Sequence, residues 1–327
     1  MRAGLVVLLL FQMILWGSAY PMIKLGLTGF TAPHLTLLRH LVASAAFLPL
    51  LLVFKGRLRP RRADVPYFFL VGLLGYTVYH LALNFGELHV SAGAASLVIA
   101  TAPAMTALLA VFMMGERLAP LGWVGSLLSF LGVVLIVLGD SGTGLTFNAW
   151  AWLIVLAAAA ASFYTVLQKP LFAKYKPIEV AAFATWAGTL PLLVFLPGLA
   201  SSVASAPWAA LGATLYIGVF PSAIAYTIYA FALSQARVTV VTAFLYLVPV
   251  FGLASSWLLL GEVPALITVV GGAIAIGGIV MVNLGKGAAA RSVARGDLLA
   301  KPALLAGEEA ADVVAVPVDG QRGEGGG

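Results

Sequence analysis

The sequence predicts an all-α integral membrane protein, with ten transmembrane helices arranged as two inverted five-helix repeats and both termini on the cytoplasmic side (N-in/C-in). Three observations predict it. The 327 residues are 62% hydrophobic and only 9% charged, with mean hydropathy +1.05, whereas a soluble domain carries about 25% charged residues. No core of this size hides so much apolar surface from water, so the solvent must be lipid. Second, the chain divides into ten apolar runs near the length of about 20 residues that crosses a hydrocarbon layer of about 30 Å. Third, one phrase is written twice: "PAMTALLAVFMMGE" from Pro103 returns as "PVFGLASSWLLLGE" from Pro249, 146 residues on.

Apolar runs broken by Gly, Pro and charge signals place the spans at Ala3–Leu25, Ala32–Phe54, Val65–Leu83, Ser91–Met114, Leu121–Leu138, Asn148–Phe172, Ile178–Leu196, Trp208–Gln235, Val238–Leu260 and Ala265–Leu284. Residues 3–140 form the first five-helix repeat and 148–284 the second. The stretch 285–327, rich in Gly, Ala and charge without sustained apolar periodicity, reads as a disordered cytoplasmic tail. The first twenty residues also fit a secretory signal, with Arg2, an apolar run and small residues at Gly17–Ala19. Cleavage there would remove a span and upset the charge alternation described next.

Cytoplasmic connections collect Lys and Arg. Lys55, Arg57, Arg59, Arg61 and Arg62 fill the link between spans two and three; Arg117, Lys174, Lys176 and Arg237 follow spans four, six and eight. Arg2 precedes the first span, and Lys286, Arg291 and Arg295 follow the last. The alternate links carry Glu87, Asp140 and Glu262 instead. Both termini are therefore expected on the cytoplasmic side, which needs an even number of crossings. The net charge of +6 fits this orientation better than a nucleic-acid partner, and the absence of cysteine excludes disulfides, thiolate metal sites and thiol catalysis.

At the same offset Gly72 meets Gly218, Phe85 meets Phe231, Gly115 and Glu116 meet Gly261 and Glu262, and Gly125, Gly132 and Gly139 meet Gly271, Gly278 and Gly285. A weaker match pairs Ser18 and Tyr20 with Ser162 and Tyr164. Each copy has an odd number of spans, so the second enters from the opposite side. Secondary transporters use such inverted repeats for alternating access; a duplicated bundle that is merely stable is the bland reading.

The Gly-Glu-Arg after "SAGAASLVIATAPAMTALLAVFMM", the "WGSAYPMIKLG" of span one and the five-plus-five plan resemble the EamA branch of the drug/metabolite transporter superfamily. The resemblance covers about Leu5 to Leu284. It implies ten helices and export of metabolites, often amino acids or related small solutes, across the cytoplasmic membrane. Family members often carry an Asn and a non-proline residue where this chain has Tyr20 and Pro21.

Polar side chains on a span face the bundle interior or a wet cavity. On span three, Tyr76, Tyr79, His80, Leu83, Asn84 and Glu87 share one helical face. Span eight repeats the stripe with Ser222, Tyr226 and Tyr229; span one offers Gln12, Trp16 and Tyr20, span six Tyr164 and Gln168, and span nine Tyr246. These residues are candidates to line a site for amphipathic or aromatic solutes; the bland reading is interhelical glue. Arg39 and His40 lie about 10 Å into span two. Arg39 either meets a substrate carboxylate, or snorkels to the outer headgroups or pairs with a backbone carbonyl. Pro103 and Pro249 bend spans four and nine and are candidate gating points. Gly122 and Ser126, with Gly271, Ala275 and Gly278, read as packing seams and a candidate homodimer face.

No Asp or Glu is expected deep in a span, so energy coupling stays open between proton antiport and facilitated diffusion. No cofactor or metal is expected. An enzyme would need a nucleophile–base pair or a metal constellation, but there is no H-E-x-x-H and the four histidines are scattered. The remaining rival is a membrane receptor or scaffold that does not transport.

Overall fold

The computed structural model describes residues 3–114, 120–139, 149–236, 241, 244–278 and 280–281. The Gly-Glu-Arg at 115–117 and the tail at 285–327 lie outside them. Every regular element among the described residues is helical. Helices α1 (Ala3–Leu27) and α2 (Ala32–Val53) are the first two spans. The third joins α3 (Val65–Gly72), a π-helical stretch (Leu73–Val78) and α4 (Tyr79–Glu87). Then come α5 (Ala92–Ile99), α6 (Ala102–Met114), α7 (Pro120–Gly139), α8 (Ala151–Leu167), α9 (Pro177–Leu192) and the short α10 (Leu199–Ser205). The chain continues with α11 (Trp208–Ile217), a second π-helical stretch (Gly218–Ile224) and α12 (Ala225–Gln235). A 3-10 turn (Phe244–Leu247) leads into α13 (Val248–Leu260), and α14 covers Leu266–Gly278.

Six of these segments are long and apolar enough to cross a membrane, and they coincide with predicted spans one, two, three, six, seven and eight. Four shorter apolar helices, Ala92–Thr106, Pro120–Gly132, Val248–Leu260 and Leu266–Gly278, stand where the other four are predicted. The molecule is a multi-pass, all-α membrane protein. Its periphery is apolar, with Phe11, Leu127, Phe130, Val194 and Leu258 exposed, while Gln12, Arg39, His40, His80, Asn84 and Glu87 are buried. This inversion of a soluble protein is what a lipid solvent demands.

Local signals explain the ends. Thr31 and Ser91 accept from the amides of His34 and Ala94, at 3.4 and 3.2 Å, and so start α2 and α5. Gly261 takes a left-handed conformation (φ 68°) that stops α13.

Packing crosses the two halves of the sequence. Helix α1 lies against α11, α12 and α13, and α8 lies against α4, α5 and α6. The glycines make the crossing reciprocal. A side chain at Gly132 on α7 would strike Gly271 and Ala275 on α14, and one at Gly278 would strike Gly125 and Ser129; the Ser129 hydroxyl donates to the Ala275 carbonyl 146 residues away at 3.0 Å. Likewise Gly72 abuts Ala184 and Gly188 on α9, while Gly218 abuts Arg39 and Val42 on α2. The Gly132 contacts map onto those of Gly278, and Gly72–Gly188 onto Gly218–Val42, when 146 is added to one partner and removed from the other. The Gly271, Ala275 and Gly278 stripe therefore closes on α7 within the chain, and does not form the free dimer face expected of it.

The two Lys/Arg-rich links meet at one end. Lys174 Nζ bonds Asp64 Oδ1 at 2.8 Å, and the Tyr175 hydroxyl donates to Asp64 Oδ2 at 2.7 Å. Glu179 accepts from the Arg57 and Lys176 amides at 2.7 and 2.8 Å. At the other end His34 reaches the Pro197 carbonyl (3.2 Å) and Ser202 (2.8 Å), and Glu262 Oε2 accepts from the Ala92 amide at 3.0 Å.

Candidate substrate cavity

Helical discontinuities place the cavity. Span four is interrupted between Ile99 and Ala102, and α6 restarts with Pro103 in its first turn; span nine restarts at Val248 with Pro249 in its first turn. Proline is tolerated in a first turn because its missing amide hydrogen has no partner there. The two prolines thus mark breaks, and not bends of continuous helices. Ala102 and Val248 are also 146 residues apart, as are Val78 and Ile224, which end the two π stretches. Pro221 has no amide hydrogen, and Thr77 Oγ1 donates to the Gly188 carbonyl at 2.6 Å. Pro221 thus leaves a gap in the regular i→i−4 ladder of the second stretch, where π-bulges form, and Thr77 ties the first stretch to α9.

Between these breaks lies a cavity of about 90 Å³. Of the residues expected to line it, Trp16, Tyr20, Arg39, Tyr79, His80, Tyr164, Tyr226 and Tyr229 do so, and Pro103, expected as a gating point, joins them. The rest of the wall is small or aliphatic, from Ala19, Ala100, Ala102 and Ala161 to Ile23, Ile99 and Leu245, with Thr106 and Thr165 adding hydroxyls. No motif signals these wall residues. The break around Pro103 is the signal that could have found Ala100 to Thr106.

Arg39 is 3% exposed, which removes the snorkelling reading. Its Nε–H donates to the Ser222 hydroxyl at 2.6 Å, while Nη1 has no hydrogen-bond partner among the described residues. Trp16 donates Nε1–H to the Pro221 carbonyl at 3.1 Å and sets its ring 5.3 Å from Tyr226 and 5.1 Å from Tyr229. His80 Nδ1 lies 2.9 Å from the Tyr76 carbonyl and 3.1 Å from His40 Nε2. A carbonyl only accepts, so Nδ1 carries the hydrogen and Nε2 is left as an acceptor. One cavity is thus lined by a guanidinium side chain, an imidazole and a wall of phenols. It can hold a small solute with an anionic end, a donor group and an apolar body.

Other expected residues stand behind this wall. Tyr76 is buried with its hydroxyl 3.2 Å from that of Tyr164, and its ring centroid is 5.0 Å from that of Tyr226. His40 supports His80, and Asn84 donates to Thr36 Oγ1 at 2.8 Å. Gln12 lies one turn from Trp16, fully buried but off the cavity. Pro249 is buried next to Val248, which does line the cavity. Tyr246 belongs to the turn Phe244–Leu247, and its side chain is outside the described residues. Gln12, Tyr76 and Asn84 share a helix face with the lining but not its depth. Glu87, expected at a span end, is at the end of α4 and yet fully buried.

The model of the EamA-like transporter family matches the chain twice, over residues 4–138 and 148–284. The chain belongs to the EamA-like transporter family. This EamA protein is 40% identical over 278 residues to the "probable terminal-alkyne amino-acid exporter" of Streptantibioticus cattleyicolor, covering 84% of the present chain and 92% of that relative. It is also 40% identical over 266 residues to the "uncharacterized transporter YdfC" of Bacillus subtilis, covering 81% and 86%. A solved protein structure superposes with TM-score 0.61 at 20% identity over 87% of this chain and 98% of that one, which shows a shared fold. The EamA protein is accordingly a secondary transporter of small molecules in the cytoplasmic membrane, and its family is not one of enzymes.

Proposed function

We propose that this EamA transporter exports small amphipathic metabolites, amino acids and close relatives among them, by alternating access of two inverted five-helix halves around the central cavity. The observation that carries the substrate reading is Arg39, held by Ser222 and lining, together with aromatic walls, a cavity of about 90 Å³. A carboxylate suits the guanidinium, and the phenol and indole faces suit an uncharged side chain. The name of the Streptantibioticus cattleyicolor relative points to the same class of solute.

The halves are residues 3–140 and 148–284. Three things support inversion: the family model matches once in each half, the glycine contacts are reciprocal at one offset, and both Lys/Arg-rich links gather at one end. With ten crossings that end is cytoplasmic. Pro103 and Pro249 then sit at matched breaks where each half swings to open or close its own side. A homodimer would need a face other than the α7–α14 seam.

The test is counterflow of labelled propargylglycine, phenylalanine and leucine in proteoliposomes. Wild type should exchange at least one of them, and Tyr79→Ala and Arg39→Gln should reduce its rate at normal protein levels. Binding without counterflow would instead identify a receptor, and normal counterflow in both variants would remove the cavity from the pathway.

A further inference from the structure

Glu87 closes α4 with its carboxyl group fully buried, and neither oxygen has a hydrogen-bond partner among the described residues. It lies in a wall between two cavities. Leu83, one turn earlier, lines the central cavity, whereas Leu88 and His89 line a second cavity of about 360 Å³ bounded by Lys24, Ser91, Leu253, Ser256 and Glu262. Helix α1 repeats the division: Tyr20 and Ile23 face the central cavity, and Lys24 faces the terminal one. The wall runs no further than from Leu83 to Leu88 on the third span, and on α1 Ile23 and Lys24 are consecutive.

A buried carboxylate without hydrogen bonds is costly, and ionisable groups inside membrane bundles are retained for function. The charged and titratable groups facing Glu87 are Lys24 and Tyr20 from α1, Arg39 from α2, Tyr79 from its own helix and Glu262 from the link after α13. His80 on α4, His40 on α2 and Tyr164 on α8 stand farther along the same packed elements, and His89 follows two residues on; α5 contributes no titratable side chain. Three residues before Glu87 on the same face, Asn84 commits Nδ2 to Thr36 and leaves Oδ1 without a partner among the described residues. A carboxylic acid supplies an O–H donor of the kind that Asn84 Oδ1 lacks; a carboxylate cannot. When the wall opens toward the terminal cavity, Lys24 and water offer the ionised form its partners.

We propose that Glu87 binds the proton whose movement drives export. The inference rests on the central cavity being the transport site. The carboxylate takes one proton from water of the terminal cavity when that side is open, forming an O–H bond, and keeps it while its carboxyl group is buried as in this structure. It returns the proton to water of the central cavity when that cavity opens to the opposite end. One proton crosses per cycle, and nothing is oxidised or reduced.

The experiment uses the full chain in proteoliposomes, with the membrane potential clamped at zero and a pH step of about one unit. At one proton per solute, this gradient sustains about tenfold accumulation. Wild type should concentrate whichever of labelled propargylglycine or phenylalanine it exchanges, and lose the gradient on adding a protonophore. Glu87→Gln should keep counterflow within about twofold but accumulate nothing, and Glu87→Asp should recover accumulation. Wild-type counterflow that ignores the pH step overturns the proposal, as does accumulation by Glu87→Gln equal to wild type. If Glu87→Gln fails to reach the membrane, purified wild type in weak buffer decides. Adding the exchanged solute should release about one proton per chain, and no release overturns the assignment. Absence of all wild-type counterflow would instead refute the transport reading beneath it.

Discussion

The Arg39 guanidinium donates through Nε to the Ser222 hydroxyl at 2.6 Å and so ties α2 to the π stretch ahead of α12. The counterpart positions 146 residues away are Thr185 and Tyr76, and these two also lie side by side. One contact site is therefore built twice. In one copy it holds a fixed cation on the cavity, and in the other a phenol backing the wall.

Arg39 is expected to act through both its charge and its fork. Arg39→Gln should lower kcat/KM for counterflow by about 10- to 100-fold, since hydrogen bonds to charged groups contribute about 1.5–3 kcal/mol. Arg39→Lys should recover only part of it, because an ammonium cannot hold Ser222 and present a second N–H edge at once. Ser222→Ala should cost about tenfold or less. Initial rates over a range of solute concentrations check all three.

Trp16 both lines the cavity and ties α1 to Pro221 of the second π stretch. Trp16→Phe keeps an aromatic face and loses one hydrogen bond, with an expected loss of about 0.5–1.5 kcal/mol. Trp16→Ala should cost about 3–5 kcal/mol and abolish measurable exchange. Thermal unfolding in detergent, followed alongside counterflow, separates the two effects.

A methyl group at Gly75 would strike the Tyr164 ring, whereas one at Gly212, in the middle of α11, meets nothing within 4 Å. Gly75→Ala should destabilise by about 1–3 kcal/mol through overpacking and raise KM, because Tyr164 lines the cavity. Gly212→Ala should leave transport unchanged and stabilise by up to about 1 kcal/mol through helix propensity. Equal unfolding temperatures for the two variants would contradict the packing described.

The chain contains no cysteine, so single introduced thiols report sidedness without background. Arg57→Cys and Arg117→Cys should react with an impermeant maleimide from the cytoplasmic side only. Val263→Cys, at a position 78% exposed, should react from outside only. Arg117 lies outside the described residues, so its labelling tests the topology independently. Labelling of 117 and 263 from one side would refute the inversion.

Much of this architecture was legible in the sequence, for reasons specific to a lipid solvent. Six long spans follow directly from uninterrupted apolar runs, and the stripe from Tyr79 and His80 to Tyr226 and Tyr229 follows from helical spacing, because lipid forces polar groups inward. Depth was not legible. Gln12, Tyr76 and Asn84 share faces with the lining residues but sit above, below or behind them, since periodicity gives a direction and not a distance along the membrane normal. The alanine wall was hidden because small residues occur throughout the chain. The burial of Glu87 was hidden because it depends on elements far away in the sequence, α1 and the link at Glu262. The π stretches carry no periodic mark of their own. Only the matched Gly72 and Gly218, with Pro221, hint that those two helices depart from regular geometry.

Those two departures leave slack. A π turn stores one residue more than an α-helix of the same length, so returning either stretch to regular geometry would lengthen its span by about 1.5 Å and rotate everything beyond by about 100°. In span three the part beyond carries Tyr79, His80 and Glu87; in span eight it carries Tyr226 and Tyr229. Each half thus keeps a spare notch of thread, wound in at the height of the cavity, that can re-aim a whole row of side chains without breaking a helix in two.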